Sequence, residues 1–189
     1  MSVLDIKCDN AVSSTKNCCC MEKNKGYLRL GCEYQIYVSF NLPSYSYLES
    51  LKEARLILFK IPMQGRDNLV DKECNDYSVY PLLDFFSNYS CMYLPPQLDF
   101  SRKKSFVDKE CVNHTEVDIT DIVKAWIHEE IENKGLLLTG KDDTRGITYA
   151  SDRYSINGMR PMLRLIYEDV SICHPLTMIP CTIEIENLT

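Results

Sequence analysis

The segment YLRLGCEYQIYVSF, residues 27–40, constrains the fold most. Tyr34, Ile36, Val38 and Phe40 occupy every second position, so one face of an extended chain collects them all. A second such segment, EARLILFKI (53–61), places Ala54, Leu56, Leu58 and Lys60 on one face, with Arg55, Ile57, Phe59 and Ile61 on the other. Pro62 ends it, because proline cannot donate to a strand ladder. RPMLRLIYE (160–168) repeats the pattern, with Met162, Arg164 and Ile166 opposed to Leu163, Leu165 and Tyr167. YSVYPLL (77–83), KSFVDKECV (104–112), NKGLLLTG (133–140) and ITYASD (147–152) are further short strand candidates. Pro43, Pro95-Pro96, Gly135 and a hairpin-like Asn157-Gly158 punctuate them. One helix signal stands apart, within residues 116–131. Asp118 or Thr120 can cap it, and Ile122, Val123, Trp126 and Ile127 form its apolar stripe. Short strands, frequent turns and one short helix predict a mainly antiparallel, all-β sandwich.

Three regions follow from this pattern. Residues 1–26 are polar and keep no period, which predicts an N-terminal arm with at most a short strand at SVLDI. Residues 27–168 carry the sandwich. Residues 169–189 form a C-terminal tail in which TIEIEN (182–187) is a possible extra strand. With 189 residues the chain is long enough for one domain with its own core.

Charge narrows the function. The net charge is −6, and the only compact basic run is Arg102-Lys103-Lys104. A nucleic-acid binder normally carries a basic face, so nucleic acid is not an expected partner. No stretch reaches the ~20 apolar residues of a spanning helix, so membrane insertion is not expected. The first residues lack the basic and apolar regions of a secretory signal, which predicts synthesis in a cytoplasm.

Ten cysteines are the outlier, at positions 8, 18, 19, 20, 32, 74, 91, 111, 173 and 181. A reducing cytosol rarely supports such usage. No pair has the spacing of a zinc site, and the three histidines are scattered, so no metal is expected. Cys32, Cys74 and Cys91 suit buried apolar positions. Cys18, Cys19 and Cys20 are adjacent and cannot all face one core. A protein made in a cell and oxidised after that cell lyses, as a spore coat is, resolves the tension. A removed signal peptide is the alternative.

No catalytic constellation is visible. A nucleophile needs a base within reach, and adjacent Cys173 and His174 point apart. Glu129-Glu130 and Asp142-Asp143 are neighbours in sequence, not carboxylates facing across a cleft. No phosphate loop or metalloprotease motif occurs. The chain is expected not to be an enzyme, with no catalytic residue and no cofactor. Sequons at Asn88, Asn113 and Asn187 are read as chance.

Residues 117–167 carry a specific pattern: Asp118-Ile119-Thr120-Asp121, then Trp126, then Asn133 to Leu138, then Ala150-Ser151-Asp152, and Arg160-Pro161 through Tyr167. This resembles the C-terminal half of the DNRLRE-type domain of bacterial surface and secreted proteins. YQIYVSFNLP and LKEARLILF resemble two strands of its N-terminal half. Asp152-Arg153 departs from the family, where a glutamate is common, and the cysteines lie outside its pattern. The resemblance implies a jelly-roll-like sandwich and a family that includes carbohydrate-binding modules. The propeptides of TGF-β-like growth factors look similar. Caps and turns also account for Asp118, Thr120, Gly135, Arg160 and Pro161 without any ligand.

The expected function is a structural subunit that self-assembles head-to-tail into a disulfide-crosslinked fibre or coat layer, on a bacterial spore surface. Cys18, Cys19, Cys20, Cys8, Cys173 and Cys181 are the candidate intermolecular disulfide residues. The cysteine-rich arm is similar in design to those of spore-appendage subunits. Other surface proteins or a glycan are further possible partners. The alternatives are a carbohydrate-binding module and a secreted propeptide-like domain with intramolecular disulfides.

Overall fold

The computed structural model describes residues 1–16, 26–31, 33–43, 50–61, 76–86, 95–109, 111–141 and 146–168. These form β1 (Ser2–Lys7), β2 (Asn10–Thr15), β3 (Tyr27–Leu30), β4 (Tyr34–Ser39), β5 (Leu51–Phe59) and β6 (Tyr77–Pro81). They continue through β7 (Lys104–Phe106), β8 (His114–Asp118), helix α1 (Thr120–Ile127), β9 (Leu136–Gly140), β10 (Ile147–Ala150) and β11 (Met162–Tyr167). Two antiparallel sheets, β1-β11-β5-β8 and β2-β4-β9-β6-β7, make an all-β, jelly-roll-like sandwich. A β10-β3 hairpin adds to it through a bridge from Tyr149 to Lys60.

The alternating segments bury the faces that their period assigns. Ala54, Leu56 and Leu58 are fully buried, as are Leu163 and Leu165 beside them in register. They meet Ile36 and Val38 of β4, Leu136 and Leu138 of β9, and Tyr77 and Val79 of β6 in one continuous core. Each such side chain contributes about 1.5–3 kcal/mol of transfer free energy, which makes this layer the main driving force. Helix α1 turns Ile122, Val123, Trp126 and Ile127 into the same core.

A smaller cluster lies on the other face of the five-stranded sheet. Val12, Tyr37 and Leu137 are covered there by Leu82, with Phe86 and Leu98 packed against them. The excursion between β6 and β7 therefore acts as a partial lid on a second, minor core.

Four sequence expectations change. Residues 2–7 and 10–15 are strands of the two sheets, so most of the expected arm belongs to the sandwich. β2 escaped notice because it is NAVSST, yet Ser13 and Ser14 are buried. Ser13 Oγ accepts from the Arg29 amide at 3.2 Å and Ser14 Oγ accepts from Gln35 Nε2 at 3.2 Å, which removes the cost of burying a hydroxyl.

The helix signal also begins late. Residues 114–118 are β8, because Val117 pairs with Leu56 and buries its side chain in the core. Strand pairing there outweighs the helical pattern. The change of direction is fixed by Asp118, whose Oδ1 accepts from the Thr120 amide at 2.9 Å and the Thr120 hydroxyl at 2.6 Å. Partial burial pushes the Asp118 carboxyl up, but these two bonds outweigh it and hold it below the usual range. Thr120 Oγ1 in turn accepts from the Ala54 amide at 2.9 Å, tying the helix start to β5.

Asn157-Gly158 is a 3-10 turn, not a hairpin turn, because it joins strands of different sheets. The possible strand TIEIEN lies outside the described residues.

β1 is held at the edge of its sheet by a two-pronged ion pair. Arg164 Nε and Nη2 donate to Asp5 Oδ1 and Oδ2 at 2.8 and 2.9 Å. The guanidinium holds the Asp5 carboxyl below its usual range. A carboxyl lowered by folding adds stability above its unfolded pKa of about 3.9, and that stability is lost as pH falls through the lower folded value. The pair is solvent-accessible, so its worth is at most about 1 kcal/mol. Asp5→Asn is expected to raise hydrogen exchange in β1 by up to about fivefold at neutral pH, with β5 unchanged. Acidification of the natural protein should reproduce the effect, and exchange in β1 that ignores both changes would refute it.

Candidate functional site

Cys18, Cys19, Cys20, Cys173 and Cys181 lie outside the described residues. The ends of the connection that carries the triple cysteine are defined, however. The Lys16 amide donates to Glu33 O at 2.9 Å, and the Ser151 amide donates to Gly26 O at 3.2 Å. Because β2 and β3 both belong to the packed body, residues 17–25 connect two strands and are not part of a terminal arm.

Cys8 differs from its expected place on an arm. It sits in the two-residue crossing from β1 to β2, pinned where the Cys8 amide donates to Pro161 O at 3.0 Å and the Asp9 amide to Ser39 O at 2.9 Å. Its side chain packs against the main core, and Sγ donates to Asn10 O at 3.1 Å. Burial, and secondarily the Asp152 carboxylate, push the thiol pKa up. The thiolate is the form that exchanges disulfides, so this placement makes Cys8 unreactive. Cys111 is the opposite case: a free thiol, exposed on the β7–β8 connection. Its sequence position gave no sign of that difference, since exposure depends on where the loop lies.

Among the described residues, no group of three or more His, Cys, Asp or Glu could hold a metal ion. His114 Nδ1 lies 2.9 Å from Asn113 Oδ1, and its Nε2 lies 3.3 Å from Glu116 Oε1. Glu130 pairs with Arg102 at 2.5 Å. The tyrosines give no open stacking row either. Arg29 lies over the rings of Tyr27 and Tyr34, at 5.3 and 5.1 Å from their centroids, and donates to Tyr34 Oη at 3.0 Å.

A polar network closes one flank of the core. Lys60 Nζ pairs with Asp108 Oδ1 at 2.5 Å and donates to Lys109 O at 2.6 Å. Thr115 Oγ1 donates to Asp108 Oδ1 at 3.1 Å and lies 2.9 Å from Tyr149 Oη. A carboxylate only accepts, so the single Thr115 hydrogen goes to Asp108, and the Tyr149 hydroxyl must donate to Thr115. Burial pushes the Tyr149 pKa up, which keeps that hydroxyl protonated. The network joins β5, β8 and β10 and has a structural role.

The described residues form one recess of note, of about 430 Å³, beside the end of α1. Trp126 and the turn residues Glu129, Ile131, Glu132 and Asn133 form one side, and Asn41 and Leu42, just after β4, form the other. The turn is set by Glu129 in the left-handed region, φ +57°, and by Asn133, whose Nδ2 donates to Phe40 O at 2.9 Å. Sequence reasoning placed Trp126 in the core and Asn133 in a turn. Neither position signalled a recess, because its second wall is remote in sequence. A scan against protein-family models finds no match for this chain, and a search of curated proteins finds none either.

Proposed function

We propose that this chain is a non-catalytic structural subunit whose copies assemble head-to-tail and are locked by disulfides into a fibre or coat layer, on a bacterial spore surface. The observation that carries the proposal is the attachment of the triple cysteine. Residues 17–25 are anchored at both ends to a rigid sandwich, which tethers Cys18, Cys19 and Cys20 within nine residues of packed strands. Three adjacent thiols cannot all turn into one core, so at least one is available to a neighbour. Cys111 adds an exposed thiol on the same body. Docking would use an edge. β1 is an outermost strand with Val3 and Leu4 exposed, and such edges accept strands from other chains. Contacts of this kind that do not close on themselves generate filaments. The sandwich is proposed to be DNRLRE-type: Asp118, Thr120, Asn133 and Gly135, all within the resemblance, fix its turns.

Gel electrophoresis of unreduced protein tests this. The natural sequence is expected to give a ladder that collapses to 21.9 kDa on reduction. Replacing Cys18, Cys19 and Cys20 with serine should abolish most of the ladder, and adding Cys111→Ser should remove the rest. Cys8→Ser should leave the ladder intact. A single monomer band from the unreduced natural protein would overturn the proposal.

A further inference from the structure

We propose that the recess beside Trp126 binds a small uncharged molecule rich in hydroxyl groups. The inference is independent of disulfide assembly and rests on the recess alone. Three buried side-chain polar atoms among the described residues lack a hydrogen-bond partner: Trp126 Nε1, Asn133 Oδ1 and the Tyr167 hydroxyl. Two of the three belong to residues that line this one recess. Trp126 is only 3% exposed, so its indole N–H is out of reach of bulk solvent. Buried donors and acceptors are normally matched, and unmatched ones concentrate where something else is meant to bind.

The chemistry of the two atoms specifies the complement. The indole N–H can only donate. Asn133 Nδ2 already donates to Phe40 O at 2.9 Å. Flipping that amide would set two carbonyl oxygens against each other, so Oδ1 is the atom left over, and it can only accept. A molecule that satisfies both must accept from Trp126 and donate to Asn133. Hydroxyl groups do both.

The surroundings select further. Leu42, Ile131 and the indole ring supply apolar wall for a carbon skeleton. Glu129 and Glu132 are exposed at the rim. Glu132 is offset by Lys134 at 3.1 Å, whereas no ion pair is formed by Glu129 among the described residues. A net negative rim disfavours anions and still accepts from hydroxyls. A volume of about 430 Å³ lies in the ordinary range for small-molecule sites, roughly 300–1,000 Å³.

Trp126 is the only tryptophan, so the emission of the full-length chain reports on this recess directly. The probes are glucose, N-acetylglucosamine, cellobiose and sorbitol, with glucuronate as the matched anion. At least one neutral probe is expected to change the emission saturably, with glucuronate about tenfold weaker or inert. Trp126→Phe, read by calorimetry, keeps a ring and removes the N–H; it should weaken the best probe about tenfold. Glu129→Lys alters only the exposed rim, and it should bring glucuronate level with the neutral probe or above it. No saturable response to any neutral probe overturns the inference. So does a glucuronate response equal to the neutral one in the natural protein, or a charge preference that Glu129→Lys leaves unmoved.

Discussion

Gly135→Ala is expected to lower the free energy of unfolding by about 2–4 kcal/mol. Two independent causes act at this position. Gly135 has φ +102°, a backbone conformation that a side chain strains. A Cβ there would also stand 2.7 Å from Val38 O and 3.2 Å from Phe86 Cε1. Val38 O belongs to the backbone of a central strand and cannot retreat without disturbing the β4–β9 ladder, where Val38 is in register with Leu136. Relaxation is therefore costly, and thermal or urea denaturation should show the full loss. Gly158→Ala is the control. Gly158 is outside the left-handed region, and a Cβ there meets nothing within 4 Å. Its substitution should be neutral, or stabilising by at most about 1 kcal/mol through the unfolded state. Equal effects at the two glycines would show that the close approach at Gly135 is not limiting.

Asp108→Ala is expected to cost a similar amount, about 2–4 kcal/mol, for an electrostatic reason. The side chains of Lys60 and Asp108 are only 15% and 12% exposed. Removing the carboxylate leaves an ammonium in a poorly hydrated place and takes the acceptor from Thr115. Asp108→Asn should cost less, because an amide oxygen still accepts from Thr115 while the charge is lost. The double change Lys60→Met with Asp108→Leu should recover much of the loss, since a buried pair replaced by apolar groups is often nearly neutral. If the double variant is as unstable as Asp108→Ala, the hydroxyl chain through Thr115 and Tyr149, not the charge, is the important part.

The alternating strands were legible because burial has the same period as the strand itself. Leu163, Leu165 and Tyr167 face inward and Met162, Arg164 and Ile166 outward, as the pattern assigns. β2 and β8 were not legible, for opposite reasons. β2 is serine-rich, and its burial depends on partners 16 and 21 residues away. β8 lies under a helix signal, and only its pairing with β5 makes it extended. The contrast between Cys8 and Cys111 was invisible, because both are single cysteines among polar neighbours.

The sequence by itself determined the class of fold, its main core faces and its one helix, because each follows from local periodicity and turn chemistry. The tertiary structure alone decided which cysteine is buried, which ion pair is dry and where the recess lies. Each of these depends on chain segments far apart in sequence meeting at a few ångströms: Cys8 against Pro161, Lys60 against Asp108, and Asn133 against Phe40.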